Sequence, residues 1–129
     1  TFEGKAPIDL KRELDALNLG GLSFQVKTIQ NDAGKKIEGV YIVLNDWQSW
    51  KPTELAFYMM KLSAKWETPS PFTQAKESEI TLFNKHVGST AWWNHLYQSG
   101  AICEPSKFLS KWEMDVKSFR EKISKYYLY

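Results

Sequence analysis

The sequence contains a single cysteine, Cys103, among its 129 residues. An internal disulfide is therefore excluded, and so is any zinc site built from several cysteines. Because Ala101, Ile102 and Glu104 surround it, no basic neighbour activates this thiol, and we expect it to be buried and inert. The low cysteine content favours a reducing compartment, which predicts a cytoplasmic location.

Long apolar runs are also missing. No stretch approaches the roughly 18 consecutive apolar residues that a membrane-spanning helix needs, and the first residues lack the layout of a signal peptide. We therefore expect no membrane partner. Hydrophobic residues make up 43% of the chain and charged residues 25%. These values are close to the globular average and predict a folded protein, and the length of 129 residues predicts a single domain over residues 1–129.

Motifs for catalysis and for cofactor binding are scarce. His86 and His95 lack a metal-ligand spacing, and we find no phosphate-binding loop, nucleophile elbow or dinucleotide fingerprint. Glu77 and Glu79 would point in different directions on a helix, and Asp46 stands alone, so no carboxylate pair emerges. The sequence predicts no catalytic residues, no metal and no cofactor, and hence a protein that is not an enzyme.

Hydrophobic periodicity predicts an α+β fold that begins with a helix and a hairpin. Leucines at helical spacing predict a helix over 7–19, with Gly20 and Gly21 as its stop. Residues 22–30 alternate apolar and polar side chains, and residues 36–44 are rich in β-branched and aromatic residues. Because residues 31–35 have turn chemistry, the two runs predict a two-stranded antiparallel β-hairpin.

From residue 52 onward the apolar period becomes helical and predicts a C-terminal portion of four helices. Segment 52–66 carries two apolar stripes, so it is either a central helix or an interface; further helices are predicted over 73–87, 89–100 and 106–127. The last of these has a continuous apolar stripe, made of Phe108, Leu109, Trp112, Val116, Phe119, Ile123, Tyr126 and Tyr127.

Two adjacent tryptophans, Trp92 and Trp93, occupy the helix predicted over 89–100. At about 100° per residue they fall on one wide apolar face, so both can belong to the core. Asn94, His95 and Gln98 would then form the outer polar face. A polar face of this kind is either plain surface or a binding surface.

The two helices joined at Gly88 resemble a helix-turn-helix in outline, which leads to a DNA-binding hypothesis. Asn and Gln side chains bond adenine, helix N-termini hold phosphate, and lysines neutralise the DNA backbone. Against this, the reading helix has no Arg or Lys, and a lysine flank is usually a solvated face. The hypothesis is a small DNA-associated regulatory or replication-accessory protein, with candidate residues Ser89, Thr90, Asn94, His95, Gln98, Lys85, Lys107, Lys111, Lys122 and Lys125.

The alternative hypothesis is a protein-protein interaction module, such as an inhibitor, an immunity-like factor or an adaptor. Trp47 and Trp50 lie in a polar connector where at least one ring should be accessible, as an anchor for a protein or, with Lys51, a stacking platform. Phe57 and Met60 lie on the second apolar stripe of segment 52–66 and would extend this site. The competing interpretation is that the rings pack over the end of the hairpin.

A homodimer is the remaining expectation. Neither predicted strand contains a proline. Lys27, Lys35 and Lys36 are the only obvious side chains that would disfavour pairing of the strand edges with another chain. A two-fold axis would bury one apolar patch against its copy. If instead the helices wrap the hairpin completely, the chain stays a monomer.

Overall fold

A computed structural model describes residues 4–126 and confirms the α+β fold. The order is an N-terminal helix, a two-stranded hairpin and a run of helices. The helices are α1 (Pro7–Ala16), α2 (Pro52–Trp66), α3 (Pro71–Gln74), α4 (Glu77–Val87), α5 (Thr90–Ser99) and α6 (Pro105–Ile123), and the strands are β1 (Leu22–Gln30) and β2 (Lys36–Leu44). Short 3-10 turns cover Gly100–Ile102 and Ser124–Tyr126.

Helix α1 is shorter than the sequence suggests. It starts at Pro7, whose missing N–H costs nothing in a first turn. It ends at Ala16, because the amides of Leu17 and Asn18 turn back to the carbonyls three residues earlier. Asn18 then takes a positive φ of 50°, which asparagine tolerates better than most residues. The helix thus stops before Gly20 and Gly21, and those glycines have a different purpose.

Strands β1 and β2 pair antiparallel with the boundaries that the sequence predicts. The register places Phe24 opposite Ile42 and Ile29 opposite Ile37. Asn31 closes the turn, since its side-chain Oδ1 accepts the Lys35 N–H at 2.9 Å and its carbonyl accepts the Gly34 N–H at 2.8 Å. Helix α1 contacts both strands, and Leu14 and Phe24 are buried.

Contacts divide the chain into two compact units, Thr1–Ala56 and Phe57–Tyr129. The prediction of one domain over residues 1–129 stays a prediction. One expected helix differs in the second unit. Two helices replace the one predicted over 73–87: α3 is a single turn that begins at Pro71, and α4 begins at Glu77 because Lys76 is its extended N-cap. Within α6 the half-buried apolar residues are Phe108, Leu109, Trp112 and Ile123, while Tyr127 lies outside the described residues.

The core of the second unit is aromatic. Trp92 is completely buried, with the Phe57 ring 4.5 Å away and the Phe108 ring 5.0 Å away between centroids. Its indole Nε1 donates to the Sδ of Met60 at 3.1 Å. Trp93 is buried too and meets Phe83 edge-on. The prediction that both adjacent tryptophans belong to the core is therefore confirmed.

Candidate functional site

The segment that resembled a helix-turn-helix does fold as two helices joined at a glycine. Gly88 has a φ of 73° and donates its N–H to the Asn84 carbonyl at 2.8 Å, which ends α4. Ser89 caps α5, since its Oγ accepts the Trp92 N–H at 3.4 Å. Of the DNA-binding candidates on α5, Thr90, Asn94 and Gln98 are exposed.

His95 does not belong to that exposed face. Its Nε2 accepts the backbone N–H of Glu104 at 3.1 Å, and its Nδ1 lies 3.4 Å from the Ser99 Oγ. The ring is half-buried, with centroid distances of 5.9 Å to Trp92 and 5.1 Å to Phe108. The predicted surface role of His95 is therefore corrected: this imidazole holds the end of α5 to the start of α6.

Replacing His95 by alanine tests this structural role. We expect His95→Ala to lower the free energy of unfolding by about 1–2 kcal/mol, because it removes an acceptor and two ring contacts. His86→Ala is the matched control: His86 is exposed on α4 and contacts only a carbonyl of its own helix among the hydrogen bonds described, that of Leu82. Urea titration of both variants measures the difference, and equal losses would contradict the bridging role.

The predicted basic residues lie on exposed surface, and two of them have identified partners. Lys107 forms an ion pair with Glu104. The hydrogen bond that the Lys107 ammonium donates to Glu104, together with the charge of Lys107, lowers the pKa of the Glu104 carboxyl. Lys125 lies 5.1 Å from the centroid of the Tyr126 ring. The set on exposed surface consists of Lys85, Lys107, Lys111, Lys122 and Lys125.

The proposed binding face on α2 is corrected by burial. Phe57 is only 2% exposed and packs edge-on against Trp112 at 4.9 Å. Met60 is half-buried, and its Sδ accepts a hydrogen bond from the Trp92 Nε1. Because the chain's own helices α5 and α6 contact these side chains, they are not available as an anchor for a partner.

Trp47 and Trp50 lie in the loop between β2 and α2, and there the structure does offer an aromatic surface. Trp47 sits in the turn and is 74% exposed, so the expectation of an accessible ring is confirmed. Trp50 is half-buried, 6.4 Å from Trp47 between ring centroids. Its Nε1 is buried and has no hydrogen-bond partner among the described residues. Trp50 is therefore the half-buried ring that supports the loop, and Trp47 is the ring that the loop exposes.

Asp46 fixes the shape of the loop of residues 45–50, which we call the Trp47 loop. Its Oδ1 accepts the Gln48 N–H at 2.9 Å, and its Oδ2 accepts the Ser49 hydroxyl. The Ser49 hydrogen bond, followed by the Gln48 N–H, lowers the pKa of the Asp46 carboxyl. The carboxylate therefore stays ionised and holds the turn that carries Trp47.

Gly20 and Gly21 form a cradle for the Trp47 loop. The Gly21 carbonyl accepts the N–H groups of Asn45 and Asp46 at 2.8 and 3.2 Å. A Cβ at Gly21 would lie 2.2 Å from the Asp46 carbonyl oxygen, and one at Gly20 would lie 3.1 Å from that of Ser49. At Gly21 only glycine permits so close an approach, whereas a Cβ at Gly20 would require its neighbour to shift by a few tenths of an ångström.

Sequence reasoning assigned this glycine pair to a helix stop and missed its role as a cradle. The helix pattern ends several residues before the pair, at Leu17, and a helix stop needs one glycine rather than two. The second glycine, which a helix stop does not need, was the signal in the sequence that could have indicated the cradle.

Cys103 offers no reactive group. It is fully buried, and this burial raises the pKa of its thiol despite the opposing charge of Lys61. A thiol that stays protonated is a poor nucleophile. The expectation of a buried cysteine is confirmed.

A family model described as the C-terminal part of the exo-β-N-acetylmuramidase NamZ matches residues 4–129. The chain belongs to this NamZ C-terminal family. A solved structure, a DUF1343 family protein from Bacteroides fragilis, has a similar fold with a TM-score of 0.76 and 24% identity. The match covers 98% of this chain and 33% of that one, so the chain spans about a third of the length of this relative. No curated protein matches.

The family assignment overturns the DNA-binding hypothesis. A NamZ C-terminal domain is related to glycoside hydrolases, and it is not a DNA-associated regulatory or replication-accessory protein. The helix-turn-helix outline is instead a packing arrangement that buries Trp92 and Trp93. The inhibitor, immunity-like and adaptor alternatives fall with the same finding.

The prediction that the protein is not an enzyme conflicts with the family assignment, which is enzyme-related. The family takes its name from an enzyme, and this chain corresponds to the C-terminal part of it. Across residues 4–126, the helices are all too short or too polar to span a bilayer.

Proposed function

We propose that this chain is the substrate-positioning part of a larger glycoside hydrolase that acts on glycans ending in N-acetylmuramic acid. The substrate class follows from the name of the family model, exo-β-N-acetylmuramidase. The cytoplasmic location stays a prediction, because neither the family description nor the fold specifies a compartment.

Two carboxyl groups of the chain, those of Asp46 and Glu104, suit a positioning role better than proton transfer. Most glycosidases use two carboxyl groups, one of which has a raised pKa and protonates the leaving oxygen. Among the described residues, the carboxyls with a resolved pKa shift are Asp46 and Glu104, and hydrogen bonds lower the pKa of both. Neither group suits a general acid.

The observation that carries the proposal is the exposed Trp47 ring on a loop of fixed shape. One face of a pyranose ring presents C–H groups, which form an apolar patch that packs flat on an aromatic ring. Because Asp46 and Gly21 fix the loop before any ligand arrives, little ordering is needed on binding, which favours affinity. We infer that Trp47 stacks on a sugar ring of the glycan.

Substitution of Trp47 tests this function directly. We expect Trp47→Ala to weaken binding of a β-linked disaccharide that ends in N-acetylmuramic acid by at least about tenfold, or about 1.4 kcal/mol. Trp47→Phe should retain part of the affinity because it keeps an aromatic face. Titration followed by NMR chemical shifts measures this affinity down to the millimolar range.

The control is Tyr97→Ala, which removes another exposed aromatic ring, on α5. That variant should bind the disaccharide as the parent chain does. All three variants should unfold near the parent's urea midpoint, because Trp47 and Tyr97 are largely exposed. An unchanged affinity in Trp47→Ala, or no binding by the parent chain at millimolar disaccharide, would refute the proposal.

A further inference from the structure

Helix α6 extends beyond the core against which it packs. Its first turns contribute Phe108, Leu109 and Trp112 to the aromatic core. Every side chain from Glu113 to Lys122 is exposed in the described structure. Almost three turns of helix therefore lie on the surface.

This exposed part still has the pattern of a buried helix. Val116 and Phe119 are 48% and 61% exposed, and Ile123 is half-buried. At about 100° per residue they share with Trp112 an arc of about 60°, so they continue the stripe that packs against the core. Met114 points about 140° away from Phe119. A stripe so narrow and regular indicates a surface that another element covers.

The charges beside the stripe indicate what kind of partner covers it. Asp115 and Lys122 lie along one border of the stripe, and Glu113 and Arg120 lie along the other. Each border thus carries one acid and one base. A polyanion would select for bases alone, whereas an apolar centre with a rim of both signs is typical of a protein interface.

We propose that Val116, Phe119 and Ile123 dock against the remaining, catalytic part of the larger hydrolase. This proposal rests on the proposed function, because it needs that larger protein. In the Bacteroides fragilis relative, the matched fold makes up 33% of the chain, so the other two thirds belong to the same polypeptide. Domains of one chain commonly share an interface, and this stripe is the extended apolar surface that continues directly from the core.

Thiol labelling tests the docking surface. Phe119→Cys and Met114→Cys place a reactive thiol on opposite sides of the same exposed turns, and the native Cys103 adds little background because it is fully buried. Each variant is labelled with a maleimide in the isolated 129-residue chain and in the full-length polypeptide that its gene encodes. We expect Phe119→Cys to react at least about tenfold more slowly in the full-length polypeptide. Met114→Cys should react at similar rates in both.

Three results would overturn the docking proposal. The first is equal labelling of Phe119→Cys in the two proteins. The second is slow labelling in the isolated chain that accelerates on dilution, which would identify a second copy as the occupant. The third is a native polypeptide no longer than this domain. Protection of Phe119→Cys together with unchanged glycan binding by Trp47→Ala would uphold the docking surface and refute only the glycan site.

Discussion

Trp92→Ala should lower the free energy of unfolding by about 3–5 kcal/mol, the range for removing a large aromatic side chain from a packed core. Trp92 is completely buried and contacts Phe57, Phe108 and Met60. These partners come from α2 and α6, so the indole connects three helices. Because a domain of this size is stable by only about 5–15 kcal/mol, the variant should be close to unfolding at room temperature.

Tyr97→Ala is the matched control for this prediction. Tyr97 lies on the same helix, α5, but is 56% exposed, so we expect a loss below about 1 kcal/mol. Urea unfolding followed by far-ultraviolet circular dichroism gives both values without depending on tryptophan fluorescence. A loss below about 2 kcal/mol in Trp92→Ala would mean that Phe57 and Phe108 close the space, and it would contradict a core centred on this indole.

The hairpin was the element that the sequence determined best. Alternation across residues 22–30, and the β-branched and aromatic content of residues 36–44, predict both strands with the boundaries observed. The physical reason is that a two-residue period and the turn at Asn31 are local properties, and the ladder between β1 and β2 joins segments close in the chain. The prolines that begin α1, α2 and α6 are equally local, since they form a first helical turn at no cost.

The site depended on contacts between distant segments, which no local pattern reports. Gly21 meets Asp46 at the open end of the hairpin, where the residue before β1 lies beside the loop after β2, and the sequence does not specify how close that approach is. His95 was placed on a polar face by helical angle alone. That angle does not reveal that the residue preceding α6 returns to the ring, where the Glu104 N–H donates to the His95 Nε2.

The DNA-binding interpretation failed for a related reason. Two helices joined by a left-handed glycine, with exposed amides on the second, are a general way to bury aromatic residues between helices. Asn94 and Gln98 occupy the outer face because Trp92, Trp93 and Leu96 occupy the inner one. Function resides in particular sites rather than in such an arrangement, and the assignment to a hydrolase family came only from comparison across residues 4–129.

Gly21→Ala should disrupt the Trp47 loop and with it the binding of glycan. The new Cβ would lie 2.2 Å from the Asp46 carbonyl oxygen and 3.0 Å from the Trp50 nitrogen, and both are backbone atoms that cannot rotate away. The residue would also keep an unfavourable φ of +74°. We expect a loss of about 3 kcal/mol or more in unfolding free energy, and at least about a tenfold loss in affinity for the N-acetylmuramic acid disaccharide.

Gly34→Ala separates the steric effect from the backbone strain. Gly34 has nearly the same φ, +76°, but its Cβ would meet only the Gln30 side-chain nitrogen, at 3.5 Å. This variant should therefore lose about 1–2 kcal/mol and bind the disaccharide normally. Urea titration and NMR titration of the two variants give the comparison. If Gly21→Ala binds as well as Gly34→Ala does, the loop can move without consequence, and the cradle has no part in presenting Trp47 to a sugar.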